Sequence, residues 1–477
     1  MFRPGLTSMM SAVLGLAVFA SELSAQDSVA GTIGEALTMQ RLIQSIRDHH
    51  PVILSAQARR EQADTASQRA RGAFDLEIQQ NTLSRLNGYY DGQYLEQAIS
   101  QPLEFAGVEI TASYRRSEGD FPLYEDFYNT LSGGEASVDL SFSLLRDRDL
   151  DARRAGLFEA PFTQRIGEFE EELAVNQLLF DGLNTYLNWY QASLAAEVAA
   201  SLVDLAETRR EGIESRVASG DLAAITLTEF ETTLLTRQID LQEAQQDLLR
   251  AQQQLLFYWR SGNGGNFNAS DLVLPQLPVA WPFDEFRFDQ NWQNSIIGNH
   301  PSVQQLEAEL AIARNQSRLA ENNFLPKLDF EVKLGNDFGS GPMNLNRPES
   351  YVGLNFSMPL QRNRAKAERT AATARVNELK FSRQAQIDRL SLGLNESLLQ
   401  LNTFDRLRQL RTQQAEVAKQ LELQEHARFD AGDSDQFLLN ARETAAGQAQ
   451  LEAIAAEVAW LRQKIALLAL GTDLLDL

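Results

Sequence analysis

Cysteine is absent from this chain of 477 residues, and only four histidines occur. Without cysteine the chain cannot form disulfides and cannot carry a lipid on an N-terminal cysteine. The histidines, His49, His50, His300 and His426, are too scattered to indicate a metal site. No nucleophile elbow, phosphate-binding loop or zinc-helix motif occurs either. We therefore expect neither an enzyme nor a protein with a metal or another cofactor.

Apart from one segment near the N-terminus, long apolar runs are missing, and so is an excess of positive charge. The one long apolar run, Met9–Ala20, follows a basic residue and precedes the small residues Ser24 and Ala25, which predicts a secretory signal peptide over residues 1–25. Beyond it no apolar run reaches 18 residues, so no transmembrane helix is predicted and any membrane insertion must use strands. The net charge of −22 argues against a nucleic-acid partner.

Four long segments lack proline, nearly lack glycine and are rich in strong helix formers. They cover residues 162–218, 222–259, 365–430 and 434–470. The third has apolar residues at coiled-coil spacing and would be about 100 Å long as a helix, which a globular core cannot bury. Two shorter helices, 51–73 and 301–323, each begin with proline. These lengths predict helices that run side by side as a rod or as the wall of a tube.

Between the helices lie segments in which apolar and polar residues alternate, as in strands with one apolar face. Each half has two of them, at 74–80 and 138–145 and at 327–334 and 352–360, and the first half has an extra hairpin at 94–114. Such strands can cross a bilayer if they close into a barrel. The smallest such barrels have eight strands. One chain has too few strands to close a barrel, so several copies must contribute.

The two halves of the chain repeat one another at an offset of 250 residues. His50-Pro51 matches His300-Pro301, and matching residues recur along the helices that follow. We predict a first repeat over 26–259, a connector over 260–290 and a second repeat over 291–477. Each repeat contains a helix, strands, a long helix, a tight turn and another helix.

The repeat extends to the two turns between the long helices, predicted at 219–221 and 431–433. Each turn has an arginine, three further residues and then Gly-Asp. The first turn has Arg216, Gly220 and Asp221, and the second has Arg428, Gly432 and Asp433. One interpretation is purely structural: the glycines give the corners backbone freedom, and the arginines cap the preceding helix ends.

This ordered set of features, occurring twice, resembles the TolC family of outer-membrane efflux channels over residues 26–477. The resemblance implies an α+β membrane protein with an internal tandem duplication. Three copies would form a transmembrane β-barrel in outer-membrane lipid, continuous with a long periplasmic α-helical barrel. The implied function is the exit duct of a tripartite efflux or secretion system. The implied partners are a periplasmic adaptor (membrane fusion) protein and an inner-membrane transporter.

The resemblance also implies that the two turns form the periplasmic tip, with the gate and the adaptor contact. The residues assigned to this tip are Arg216, Gly220, Asp221, Thr226, Glu229, Arg428, Gly432, Asp433 and Asp435. Family members often have aspartates six and nine residues after the second-turn glycine, where this chain has Leu438 and Ala441. A ring of carboxylates at the tip must therefore be built differently here.

The extra hairpin and two alternative functions remain open at this stage. Twelve strands from three copies require four from each, so the hairpin at 94–114 is expected outside the wall, as an external or rim insertion. Inside the wall it would raise the count to eighteen. The chain could also be the outer component of type I protein secretion, or a periplasmic coiled-coil adaptor. An adaptor typically has a single helical hairpin, whereas this sequence has two, each with strands of membrane length.

Overall fold

A computed structural model describes residues 36–262, 267–275 and 279–477, and the predicted signal peptide lies outside these residues. Within them the chain forms long helical hairpins and one antiparallel sheet. The helices of the first half are α1 (Met39–His49), α2 (Pro51–Asp64), α3 (Ala66–Gly72), α4 (Ala152–Ala218) and α5 (Ala224–Tyr258). Those of the second half are α6 (Gln290–Asn299), α7 (Pro301–Asn322), α8 (Asn363–Asp430) and α9 (Gln436–Gly471).

In the described ranges, no helix combines the length and the apolar character that a membrane span requires.

The two longest helices match each other closely, with 67 residues in α4 and 68 in α8. Each is about 100 Å long at 1.5 Å per residue. The shorter helices pack along them in succession. The first half of α4 contacts α2 and α7, with Gly167 of α4 directly against Ala63 of α2, and its second half contacts α5 and α9. The matched lengths therefore produce a long bundle with two helical hairpins at one end.

Two features of the helices differ from the prediction. The helix predicted to start at residue 162 starts at Ala152, with Pro161 inside it. A proline removes one hydrogen bond of the ladder, and the packing of a long helix can compensate for that loss. Asp151 sets the start, because its carboxylate accepts a hydrogen bond from the N–H of Arg154 at 2.8 Å. The short helices α1 and α6, which precede the two His-Pro pairs, were not predicted.

The sheet has six strands in chain order, and every neighbouring pair is antiparallel. The strands are β1 (Glu77–Ser84), β2 (Gln93–Pro102), β3 (Glu109–Glu118), β4 (Glu135–Ser143), β5 (Lys327–Asp337) and β6 (Glu349–Ser357). The expectation that the extra hairpin is an external or rim insertion is wrong, because β2 and β3 lie within the sheet between β1 and β4. Alternation predicts the faces of a strand but not its neighbours.

The sheet has one apolar and one polar face. On the apolar face Phe142 lies opposite Phe330, which in turn lies opposite Leu354. On the other face Asp139 lies opposite Lys333, and Ser141 lies opposite Glu331. Since side chains alternate along each strand, this pairing register keeps the apolar residues of β4, β5 and β6 on the same side.

The main hydrophobic core lies where α1, α4, α5 and α9 meet the connector. Tyr186 and Trp189 of α4 are buried there, and the Tyr186 hydroxyl donates a hydrogen bond to the carbonyl of Leu37 at 2.8 Å. The connector contributes Phe283, also fully buried, and Trp281, which packs edge-on against Tyr190. The described part of the connector is therefore a packed element of the core and not a free linker.

The repeated His-Pro pairs are helix starts with a shared capping geometry. Nδ1 of His50 accepts a hydrogen bond from the N–H of Val52 at 3.3 Å, and Nδ1 of His300 accepts one from Ser302 at 3.1 Å. The proline in the first helical position has no N–H that would need a partner. Both caps require an unprotonated Nδ1, and burial lowers the pKa of both histidines below the ordinary value.

This geometry predicts a pH-dependent stability. Because the folded chain holds these histidines neutral, their contribution is complete above pH 6.5 and is lost as pH falls below that value through the lowered pKa. His300→Asn keeps a capping oxygen that does not titrate, so we expect its melting temperature to fall less between pH 7 and pH 5 than that of the wild type. The exposed His426 caps no helix and lies 3.1 Å from the Asp430 carboxylate, so His426→Asn is the control and should lose at least as much as the wild type. Equal losses in all three proteins would contradict the prediction.

Candidate functional site

The two turns at the far end of the helical hairpins have the same backbone geometry. In the first, the N–H of Asp221 donates to the carbonyl of Arg216 at 2.9 Å, and the N–H of Gly220 donates to Val217 at 3.1 Å. In the second, Asp433 donates to Arg428 at 2.9 Å, and Gly432 donates to Phe429 at 3.0 Å. This is the Schellman pattern of helix ends. The spacing of arginine, glycine and aspartate therefore follows from the backbone bonds.

The glycines in these turns are required by the backbone conformation. Gly220 has φ of +84° and Gly432 has φ of +82°, in the left-handed region that other residues rarely adopt. A Cβ atom added at either position would meet no atom outside the turn within 4 Å. Conformation alone therefore selects glycine at both corners, and the surrounding surface is open.

The second turn is more extensively bonded than the first. The Arg428 guanidinium donates to the carbonyl of Asp433 at 3.1 Å and to the Glu425 carboxylate at 3.3 Å. Glu425 is 3% exposed, and it also accepts a hydrogen bond from the Ser434 hydroxyl at 2.5 Å. The Asp435 side chain caps α9 through the N–H of Leu438 at 2.8 Å. Arg428 thus bonds the turn beyond the helix end, whereas the predicted capping of the helix ends by both arginines stays a prediction.

The first turn has a smaller side-chain framework, in which the Ser219 hydroxyl donates to the carbonyl of Arg216 at 3.1 Å and lies 3.4 Å from the Asp221 carboxylate. Ala223 occupies the position before α5 and makes no side-chain cap. Arg216 and Glu229 are exposed, and Thr226 is half-buried. No bond among the described residues connects one turn to the other, so the structure forms two separate corners, with Asp221 and Asp433 exposed. At the family's aspartate positions, Leu438 is half-buried and Ala441 is exposed.

A buried cluster of charges joins the two helical hairpins. It lies on the helices α4, α5 and α9, away from the turns. Glu443 of α9 is fully buried, and its carboxylate contacts Arg209 of α4 on one side and Arg237 of α5 on the other, the latter at 2.9 Å. Arg237 also donates to the carbonyl of Leu202 at 3.0 Å and to Asn440 Oδ1 at 2.8 Å. One carboxylate therefore connects α9 to both helices of the first hairpin.

The protonation state of this carboxylate follows from its neighbours. Burial by itself would raise the pKa of Glu443, but the hydrogen bonds and charges of Arg209 and Arg237 outweigh burial and hold the pKa below its ordinary value. Glu443 is therefore ionised at neutral pH. Sequence reasoning missed this cluster because a Glu-Arg-rich helix shows many charges, and the chain gives no sign of which ones are buried.

Comparisons with known proteins agree with the fold described above. Residues 292–471 match the family profile described as "Outer membrane efflux protein". The pyoverdine export outer membrane protein OpmQ of Pseudomonas aeruginosa is 25% identical over 316 residues, which is 64% of this chain. The alignment spans 62% of that relative's length.

Solved structures show the same fold over nearly the whole chain. The outer membrane protein VceC of Vibrio cholerae has a TM-score of 0.66 at 15% identity, covering 91% of this chain and 96% of its own. The outer membrane channel CmeC of Campylobacter jejuni has a TM-score of 0.65 at 13% identity, covering 91% of this chain and 85% of its own. The likeness therefore extends to the first half, which the family profile does not cover.

Proposed function

We propose that this chain, a member of the outer membrane efflux protein family, is the exit duct of a tripartite efflux or secretion system. Family members lie in the outer membrane with the helical part in the periplasm, and this chain is placed likewise. Three copies pool their sheets into one barrel, and their helices form a tunnel below it. The duct conducts substrates passively, and an inner-membrane transporter supplies the energy.

The observation that carries this proposal is the open sheet with one apolar face. The outer strands β1 and β6 each pair on one side only, so their other edges present unpaired N–H and C=O groups. Unpaired backbone groups cannot remain exposed to lipid, which leaves closure as the stable solution. Pairing β1 of one copy with β6 of the next closes the sheet and turns its charged face to a water-filled interior.

Apolar residues on the helices support association of copies in the same way. In α8, Leu399 and Val417 are 69% and 64% exposed, and in α5, Leu235 and Ile239 are 59% and 58% exposed. They recur at helical spacing on faces that no other helix of the described chain covers. Burying them requires a neighbouring copy, since isolated water-facing rows of this length are costly.

The two turns are proposed as the closed periplasmic tip and as the contact with a periplasmic adaptor. They end the bundle opposite the sheet, and Arg216, Asp221, Asp433 and Asp435 are exposed there. Their shared geometry also supports a tandem duplication of the repeats at 26–259 and 291–477. The framework of Arg428, Glu425 and Ser434 would keep the second turn rigid while the exposed carboxylates meet a partner.

Type I protein secretion is the second candidate within transport, and genes for the adaptor and transporter beside this one would separate it from small-molecule efflux. The adaptor alternative is weaker. The matched solved structures have this fold over nearly their whole length. A periplasmic adaptor also does not need an open sheet with an apolar face.

The proposal predicts how the purified protein behaves. We expect extraction only with detergent, migration as a heat-sensitive trimer on gels, and a small resting conductance in planar bilayers. Leu399→Glu in α8 should weaken the trimer by placing a charge in the contact between copies, whereas Gln409→Glu, also on α8 and already polar and exposed, should not. A water-soluble monomer that forms no channels would overturn the proposal.

A further inference from the structure

We propose that the hairpin of β2 and β3 is part of the barrel wall, so that a trimer of this chain closes an eighteen-stranded barrel. The proposal rests on the function proposed above, which supplies the three copies. It assigns the hairpin a structural and functional position: six strands per chain line the pore, and β1 of each copy pairs with β6 of the next.

The first observation is the pairing register. Every residue of β1 lies opposite a residue of β2, from Glu77 against Ser100 to Ser84 against Gln93. On the other side β3 pairs with β4 from Glu109 against Ser141 onward. The hairpin therefore separates β1 from β4 over their lengths. A hairpin folded outside the wall would leave β1 and β4 paired with each other.

The second observation is that one apolar row of the sheet, and the polar row beside it on the other face, continue through the inserted strands. One row crosses the sheet on the apolar side through Ile78, Ile99, Ala112, Val138 and Leu334. The neighbouring row on the opposite side runs through polar or small residues. It consists of Gln79, Ala98, Ser113, Ser137 and Gly335. A hairpin with a separate role would have no reason to match both rows.

The third observation is that both ends of the hairpin are anchored. At the helix end the turn at Ala106 and Gly107 has positive φ at both residues, and the carbonyl of Ala106 accepts a hydrogen bond from Ser143 at 3.3 Å. Gly107 is so close to the carbonyl of Asp147 that a Cβ there would lie 2.8 Å from it. At the opposite end the N–H of Gly92 donates to the carbonyl of Asp120 at 2.9 Å.

Polar contacts across the inner face complete the seam between β3 and β4. The hydroxyls of Ser113 and Ser137 lie 2.7 Å apart, and the Arg115 guanidinium pairs with the carboxylate of Glu135, which is 7% exposed. Lys333 of β5 reaches the same carboxylate at 4.0 Å. The hairpin thus shares its charge pairing with the strands of both halves of the chain.

The consequence is a wider pore. Barrel circumference grows with strand number, at about 4.8 Å per strand and a tilt of about 40°. Eighteen strands give a backbone diameter of about 36 Å, and twelve would give about 24 Å. The wall would then admit larger or more hydrated solutes than a four-strand contribution allows, so that the helical tunnel and its tip, not the barrel, set the size limit.

The absence of cysteine allows a direct test by disulfide formation in the oxidising periplasm. Ser113→Cys with Ser137→Cys, and Gln79→Cys with Ala98→Cys, place thiols directly opposite one another, and both pairs should oxidise within one chain. Ser113→Cys with Ser141→Cys is the control, because Ser141 lies four positions further along β4, about 13 Å away. Failure of both opposed pairs while the protein still forms trimers would overturn the eighteen-stranded wall.

A second set of pairs tests closure between copies. Gln79→Cys combined in turn with Tyr351→Cys, Gly353→Cys and Asn355→Cys of β6 should give covalent dimers and trimers for at least one combination. Interchain products without the intrachain pairs would leave the trimer standing and refute the six-strand contribution. Intrachain pairs without any interchain product would refute the closure and, with it, the trimeric duct.

Discussion

Replacing Glu443 with glutamine is expected to destabilise the packing of α9 against the α4–α5 hairpin by about 3 to 5 kcal/mol. The carboxylate is fully buried, and its single negative charge is shared by Arg209 and Arg237, which are themselves largely buried. Glutamine has nearly the same shape but no charge. The substitution therefore leaves two buried guanidinium groups without a counter-ion, and removing one partner of a buried ion pair is costly for this reason.

Thermal unfolding of the detergent-purified protein, followed by circular dichroism, measures this loss. Glu457→Gln is the matched control: Glu457 is also on α9 and pairs with Arg408 at 3.2 Å, but both side chains are about one third exposed. A solvated pair of this kind contributes less than about 1 kcal/mol. Equal effects of the two substitutions would show that burial of the cluster contributes nothing. A drop for Glu443→Gln alone would show that the buried cluster stabilises the contact between the hairpins.

Replacing Gly432 with proline is the second change with a large expected effect, because it should open the proposed tip. Proline fixes φ near −65°, whereas this residue has φ of +82°. Proline also removes the N–H that donates to the carbonyl of Phe429 at 3.0 Å. The turn cannot form, at a cost of about 3 kcal/mol or more. We expect the resting conductance in planar bilayers to rise several-fold while trimers persist.

A second glycine provides the control for this experiment. Gly212 lies inside α4, and a Cβ added to it would meet no other atom within 4 Å. Gly212→Ala should leave the conductance unchanged and stabilise the helix slightly, because alanine is the better helix former. If Gly432→Pro trimers conduct no more than wild type, the turns do not hold the tip closed and are only the corners of helical hairpins.

The Glu443 and Gly432 substitutions test different parts of the proposed closed tip, the contact between the hairpins and one of the turns. Gly432 shapes a corner whose surroundings are open, so its effect should stay local to the tip. Glu443 connects two hairpins along their sides, so its loss should change how the second hairpin sits against the first. If the tip opens by movement of one hairpin relative to the other, Glu443→Gln should also raise the conductance, without altering the turn itself.

Several features of this protein were determined by local sequence alone. A run without proline and nearly without glycine has few helix breakers, so the helix over residues 365–430, about 100 Å long, follows from composition. Alternation at a period of two sets the faces of the strands, because successive side chains point to opposite sides. The Gly-Asp corners follow from the left-handed conformation that ends a helix. Each of these depends on interactions within a few residues, which is why the sequence displays them.

Tertiary structure decided the features that depend on distant partners. Glu443 meets Arg209 across 234 positions and Arg237 across 206, and nothing in its own helix distinguishes it from Glu452 and Glu457, which are only half-buried. Alternation showed that β2 and β3 are two-faced strands, but backbone hydrogen bonds placed them between β1 and β4. Pro161 lies inside α4 although proline disfavours a helix interior, so the start of this helix at Ala152 could not be read from local preference. Burial and strand order are properties of the folded whole, since they depend on which surfaces meet.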